Sequence, residues 1–492
     1  MKKTNFCLLF LLLLIFMTGC GESNVSTPTK KPKVTPTPEV IKLPAKTPAP
    51  IVTPNITESP TPDETPVVTP TPTETPVMTP APTETPAGAL HWDEIFDYSQ
   101  AQPKLTSDGD IKNLSIQFGN TTDTLHITWF SRSGEQGHVN FLSDTGEVLS
   151  STVSTQGSVS VPNYYRNRAV ISGLKPSTHY KYQVGNGDVF SPYYSYITKD
   201  PVSSAFSFTI AGDPEIGLGD LDDMVYEIHS NDWRRSLNRM KENNPESAFL
   251  LTLGDHVARK AAPEEYDLFL DQSVLYSTAL MPVVGNHDAG SGFFGDHFYL
   301  PNKTEHGVET GDDGDYWFVY GDVLFMVLNN LSSCDDVDHQ LFIQETIEQN
   351  PDTKWRVLAS HYSPVSNVER YQGSAESVND YFDYAELFDI DLFFGGHDHI
   401  YTRSYLMTDD DEFLSTPEQT VFHNPEGALY VIFSTATSSL YREPDNYPWA
   451  AYSVQTNSPQ ISRATVTDTE FTVSTYEADT WTLVDSFTIY KD

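Results

Sequence analysis

The chain has 492 residues, too many for one ordinary domain, so two or three folded units are expected. Its formal net charge of -39 at pH 7 excludes a nucleic-acid backbone or an anionic lipid surface as its natural partner. A small anionic ester is not excluded, because bound cations would dominate the field of a site.

Lys2 and Lys3, followed by the apolar run from Phe6 to Phe16, form a leader too short to span a bilayer comfortably. It ends in Met17-Thr18-Gly19-Cys20, which resembles a bacterial lipobox with Cys20 as the lipidated residue. The alternative is an ordinary signal peptide with a chance cysteine. Residues 1–20 are therefore read as a lipoprotein signal peptide. The protein is expected to be exported and lipid-anchored to the outer face of a bacterial membrane, touching it through that lipid alone. Of the three cysteines, Cys7 and Cys20 lie in the leader, so Cys334 has no partner for an internal disulfide. Residues 21–89 are Pro- and Thr-rich, with a near-repeat in Pro72-Thr73-Glu74-Thr75-Pro76 and Pro82-Thr83-Glu84-Thr85-Pro86. So few apolar residues cannot offset the entropy of ordering, and an extended stalk without a core is expected.

Between 90 and 200 the pattern changes to short alternating runs, among them Leu125–Phe130, Gly137–Phe141, Ala169–Ile171 and Tyr180–Val184. Regular short strands without helical periodicity predict a β-sandwich. From Phe206 onward, strands alternate with helices. The stretch Asp220–Asn243 sets Trp233, Leu237 and Met240 at helical spacing, and Tyr316–Tyr320 with Val323–Leu328 reads as a hairpin around Gly321-Asp322.

Five short motifs follow in this half: Gly212-Asp213-Pro214-Glu215, Gly254-Asp255-His256, Gly285-Asn286-His287-Asp288, Ser360-His361 and Gly395-Gly396-His397-Asp398-His399. Each comes directly after an apolar run that reads as a buried parallel strand (Phe206–Ala211, Ala248–Leu253, Met281–Val284, Val357–Ala359 and Asp391–Phe394). A lone Gly-Asp or Asn-His is ordinarily a turn; five in order, each at a strand end, are not explained that way. Beyond the carboxyl ends of strands in an open α/β sheet, their side chains would converge on one crevice. Carboxylate, amide and imidazole together are hard-to-borderline metal ligands.

The order and wording of these motifs resemble the calcineurin-like metallophosphoesterases, and among them the purple acid phosphatases. The turn from Ile171 to Tyr182 resembles the fibronectin type III-like domain that precedes the catalytic one in that branch. The resemblance implies an α+β/α-β architecture: a β-sandwich over 90–200 and a four-layer α-β-β-α catalytic domain over 204–445. After Tyr401 the pattern turns β-like again, and 446–492 is expected to be a β-rich tail packing on that domain, either a separate unit or the last strands of the catalytic sheet. It implies a small phosphate ester as partner and two divalent or trivalent ions (Fe, Mn or Zn) as cofactors. Asp255 would bridge them, with Asn286, His361 and His397 completing one site and Asp213 and His399 the other. Such a pair, about 3.5–4 Å apart, supplies a bridging hydroxide and clamps the attacking and leaving oxygens. His287 would contact the substrate or protonate the leaving oxygen, or else support a ligand by a hydrogen bond.

Three departures matter. Ala258 stands where the purple enzymes carry a tyrosinate, so no visible charge-transfer band is expected. Glu215 stands where the superfamily has a histidine, and is either a further ligand or a loop cap. Arg259 matches an arginine of related phosphatases and is a candidate phosphate contact, while the histidines that follow the fourth motif in the purple enzymes are missing from 362–373. Phosphomonoester hydrolysis is the leading expectation. Phosphodiester hydrolysis is the alternative within the class, and a surface binding protein with a vestigial phosphatase domain the alternative outside it. The oligomeric state cannot be read from the sequence.

The anchor reading makes one testable statement. Cys20→Ser should move the protein from the membrane fraction to the soluble one without changing its activity. Retention on membranes after a high-salt wash would show a second contact.

Overall fold

The computed structural model describes residues 104–219, 223–307, 314–331, 336–371, 381–408 and 413–492. The expected leader, Cys20, the stalk, the first residues of the sandwich (90–103) and Cys334 lie outside these residues.

The sandwich comprises β1 (Ile111–Phe118), β2 (Thr124–Ser131), β3 (Gly137–Ser143), β4 (Ser150–Gly157), β5 (Tyr165–Ser172), β6 (His179–Asn186), β7 (Val189–Phe190) and β8 (Tyr194–Ile197). One sheet runs β1-β2-β5-β4; in the other, β6 pairs with β3, β7 and β8. Alternate residues point inward, so Ile127, Trp129, Phe141, Ile171, Tyr182 and Val184 form one buried cluster. The Trp129 indole donates to Asn186 Oδ1 at 3.0 Å, so the buried ring leaves no unpaired N–H. The turn after β5 is pinned by Tyr180, whose hydroxyl accepts the Lys175 amide at 2.7 Å.

The catalytic domain begins with β9 (Phe206–Ala211), β10 (Ser247–Thr252) and β11 (Ala279–Pro282), then β12 (Tyr316–Tyr320), β13 (Val323–Leu328), β14 (Trp355–Ser360) and β15 (Leu392–Gly395). It continues through β16 (Tyr401–Met407), β17 (Val421–His423), β18 (Ala428–Ile432) and β19 (Ala450–Val454) to β20 (Gln460–Val466), β21 (Glu470–Glu477) and β22 (Leu483–Tyr490). Two seven-stranded sheets result, β11-β10-β9-β20-β21-β22-β17 and β12-β13-β14-β15-β18-β16-β19. Strand β13 shows how they are packed. Val323, Phe325 and Val327 enter the core between the sheets, whereas Leu324, Met326 and Leu328 face a second core with Phe342 and Ile343. Phe342 and Ile343 lie on the helix Asp336–Gln349, and on the far side Trp233, Leu237 and Met240 of the helix Asp223–Asn243 cover the first sheet. The layers are therefore helix, sheet, sheet, helix, and a strand buried on both faces must be apolar throughout.

One expectation is corrected and one open alternative is decided. The five motif-bearing strands do not belong to one open sheet: β9, β10 and β11 lie in the first and β14 and β15 in the second. The stretch 446–492 is β-rich as expected, and of the two alternatives it supplies the last strands of the catalytic sheets. Strand β19 pairs with β16 in the second sheet, and β20 pairs antiparallel with β9, the domain's first strand. The last strands cover sheet edges that would otherwise expose unpaired main-chain groups.

Sandwich and catalytic domain are joined by buried polar contacts. Asp296 Oδ2 accepts from the Ser158 and Ser160 hydroxyls at 2.8 and 2.7 Å, and Oδ1 accepts from Arg166 Nη1 at 2.6 Å. Lys112 bonds Asp267 at 2.8 Å across the same seam. Burial acts to raise the Asp296 carboxyl, but these donors overcome it and hold the group below its usual range. Asp296→Ala should therefore cost about 3–5 kcal/mol by stranding Arg166 and two hydroxyls. Since the folded value is the lower one, the charge-dependent part of this stabilisation is complete above about pH 4, the unfolded value, and is lost as the pH falls through the folded one. Denaturant melts of wild type and variant should lie further apart at pH 7 than in strong acid.

Candidate metal centre

All five motifs occupy the turns that leave β9, β10, β11, β14 and β15, and they meet at one edge of the sheet pair. Asp213, Glu215, Asp255, His397 and His399 all have positive φ, between 30° and 71°. For residues with a Cβ this conformation costs of order 1–3 kcal/mol each, and it persists only where the surroundings enforce it. The enforcing contacts are visible. The Thr435 hydroxyl donates to Asp213 O at 2.8 Å and that of Thr437 to Pro214 O at 2.7 Å. The Glu215 amide donates to Asp255 O at 2.7 Å. Gly254 and Gly285 are obligatory by proximity: a Cβ on either would collide with His361 or with Asp255.

The three carboxylates are almost completely buried: Asp213 is 0%, Glu215 2% and Asp255 1% exposed. Asp213 accepts the His397 amide at 3.0 Å and Asp255 the His287 amide at 2.8 Å, while Glu215 Oε2 has no hydrogen-bond partner among the described residues. Three imidazoles are oriented alike. The Nδ1–H of His361 donates to Leu253 O at 2.8 Å, that of His399 to Leu440 O at 3.0 Å and that of His287 to Ala258 O at 2.7 Å. A carbonyl can only accept, so in each ring Nε2 is left to bind inward. His361 Nε2 lies 3.2 Å from Asp255 Oδ2 and 2.9 Å from Asn286 Oδ1. Glu215 sits between two rings, with Oε1 3.4 Å from His287 Nε2 and Oε2 3.4 Å from His399 Nε2.

Burial pushes the Asp213 carboxyl up to about 8, and pushes Glu215 well up with help from Asp255 and Asp213. Burial also presses His397 down to about 2 and His399 to about 3. Asp255 goes the other way: burial acts to raise it, but the adjacent His361 outweighs burial and holds it low. Burial likewise acts to lower His361, and Asp255 and Asp213 overcome it to raise the ring to about 10. Asp213 and Glu215, which retain protons, beside His397 and His399, which refuse them, form a donor set from which a bound cation would displace protons. The residues fit metal ions. Asp255, His361 and His397 present donor atoms within 4.8 Å of one another, as do Glu215, Asp255 and His287. Asp255 is common to both groups, as a bridging residue must be.

The structure thus brings together Asp213, Glu215, Asp255, Asn286, His361, His397 and His399. His287 comes closer than expected, its Nε2 falling inside the second donor group. Arg259 lines a cavity of about 480 Å³ with Asn286 and His287, and its charge is shared with two carboxylates, its Nε 2.7 Å from Glu265 and its Nη2 3.4 Å from Glu264. The lost side chain at position 258 is replaced by that residue's own carbonyl, which orients His287. The His256–Asp288 pair, buried at 2.9 Å, and Asp398, which accepts Ser366 Oγ at 2.8 Å, were missed as supports. Their acidic and imidazole side chains inside the motifs were the available signal. Arg442 and Tyr371 belong to no motif.

Residues 206–401 match the family "Calcineurin-like phosphoesterase" and residues 111–198 the "Purple acid Phosphatase, N-terminal domain". Among solved structures, purple acid phosphatase PPD1 from yellow lupin (Lupinus luteus) seeds superposes with a TM-score of 0.65 at 17% identity, over 78% of this chain and 75% of the other. A structure of PhoD superposes at 0.50 with 11% identity, over 78% of this chain and 94% of that one. These two likenesses speak for the fold. Among curated proteins none matches the sequence.

The orphaned Glu215 oxygen makes the most exposed statement about the centre. Glu215→Gln should lower metal content at the group it shares with Asp255 and leave the group of His361 and His397 loaded, as read by elemental analysis. Glu215→His should shift preference toward imidazole-friendly ions such as Zn²⁺. Unchanged stoichiometry and metal preference in both variants would make Glu215 a loop residue.

Proposed function

The chain carries a calcineurin-like phosphoesterase domain behind a purple acid phosphatase N-terminal domain, and on that footing we propose that it hydrolyses phosphomonoesters at a dinuclear metal centre. The observation that carries this reading is Asp255, a buried carboxylate shared by two groups of donor atoms. Asp255, Asn286, His361 and His397 would hold one ion; Asp213, Glu215, Asp255 and His399 the other. When bound, the ions would acidify a water and offset the charge that builds on the phosphoryl oxygens.

The chain's own residues do the rest. Asp255 is held from both sides, its carboxylate by the His287 amide and its carbonyl by the Glu215 amide. His287 is half-exposed at the cavity while its Nδ1–H is committed to Ala258 O, so Nε2, with a second proton on the ring, is the atom that would pass one to a leaving oxygen. The cavity beside His287 and Asn286 is open to solvent-borne esters. Tethering of this activity to the cell surface through Cys20 is part of the proposal and is supported by the leader sequence.

Asp255→Asn should abolish hydrolysis of p-nitrophenyl phosphate and lower metal content in both groups. His287→Ala should keep its metals and lose about 10²–10⁴-fold in rate. Wild-type turnover in the first variant would remove Asp255 from the bridge. Metal loss in the second would move His287 into the ligand set. Faster hydrolysis of the bis(p-nitrophenyl) ester than of the monoester would replace the monoesterase reading by a diesterase one.

A further inference from the structure

The residues around His397 form a second feature that the motifs do not include. Its ring is enclosed by aromatic side chains, with Tyr371 at 4.4 Å and Tyr362 at 4.6 Å between centroids. Two guanidinium groups lie against Tyr371. That of Arg370 is 4.5 Å from the ring centroid and also bonds the phenol oxygen; that of Arg442 is 5.4 Å away. Arg442 reaches the centre from the loop that follows β18, and its Nη1 donates to His397 O at 2.8 Å.

Among the described residues, neither arginine is paired with a carboxylate, in a chain holding 68 acidic residues against 29 basic ones. Arg259 illustrates the contrast, because its guanidinium is already engaged by Glu265. The charge of Arg442 reaches the metal-binding residues, and it acts to lower the carboxyls of both Asp213 and Glu215. A guanidinium has five donors, and one bond to a carbonyl leaves a fork for an oxyanion. Stacking on a phenol holds such a fork in place without neutralising it.

We propose that Arg442 and Arg370, both set against Tyr371, form the phosphate-binding wall of the centre and receive the non-bridging oxygens of a terminal phosphomonoester. This rests on the phosphoesterase reading above. It also accounts for an absence: residues 362–373 contain no histidine, and the anion contact is supplied instead from position 370 and from a loop some seventy residues later. A dianionic monoester gains more from two cations than a monoanionic diester does, so the wall also selects between the two ester classes.

The test uses full-length, metal-loaded wild type and the variants Arg442→Gln, Arg442→Lys and Arg370→Gln. Each is titrated calorimetrically with inorganic phosphate and has its metals counted. The expected result is wild-type metal content with phosphate affinity lowered about 10- to 100-fold in the Gln variants, the worth of a charge-assisted hydrogen bond. Arg442→Lys should fall between wild type and Arg442→Gln. KM for p-nitrophenyl phosphate should rise more than KM for its bis ester. Phosphate affinity within twofold of wild type, with metals retained, would overturn the proposal. So would loss of metal in Arg442→Gln together with unchanged phosphate binding in Arg370→Gln, because Arg442 would then merely hold the His397 carbonyl. If the loaded wild type binds phosphate but hydrolyses neither ester, the functional reading fails while the titration still decides this one.

Discussion

Three carboxylates buried at one edge of a sheet pair can all stay ionised only if cations lie among them. Asp213, Glu215 and Asp255 impose that constraint on everything around them. Without it, the left-handed backbone at five donor residues would be an unrewarded cost of several kcal/mol. The same need explains why three imidazoles spend their Nδ1 protons on main-chain carbonyls and leave the other nitrogen facing inward. Metal ions would also give the buried Glu215 oxygen a partner.

Holding such a cluster requires supports outside it. The His256–Asp288 pair ties the turn carrying Asp255 to the turn carrying Asn286, and the Asp288 carboxylate also accepts the Gly285 amide at 2.9 Å. Asp398, pointing away from its neighbours His397 and His399, accepts from Ser366 Oγ and the Asn367 amide and so binds the fifth turn to the segment after the fourth. These acids are as essential to geometry as the donor residues are to charge. The segment is not an extended run, since His397 and His399 are both left-handed; Asp398 between them anchors the turn.

The donor residues were legible in the sequence because each motif is contiguous and follows an apolar strand, so local pattern and site coincide. The sandwich was legible for a similar reason, since its strands alternate with period two. The distribution of five strands over two sheets was not, because a strand buried on both faces is apolar throughout and carries no mark of its neighbour. Nor was the pairing of β20 with β9, a contact between residues some 250 positions apart. Arg442 and Tyr371 were hidden by the same kind of separation; nothing near Arg442 in the chain says that its loop returns to His397.

Position 258 shows how far a missing side chain can mislead. By the resemblance, alanine stands there in place of a phenolate, and its side chain offers His287 no partner. The main-chain carbonyl at that position nevertheless accepts the His287 Nδ1–H at 2.7 Å, so the ring's tautomer is set by backbone geometry. A carbonyl cannot ionise, and therefore it orients the imidazole without adding a charge to a centre already rich in them. With Glu215 3.4 Å from the same ring, a further carboxylate at position 258 would crowd another anion into that surplus. The alanine is thus consistent with the glutamate: the negative charge removed at one place beside His287 is supplied at another, where it lies among the metal-binding donors.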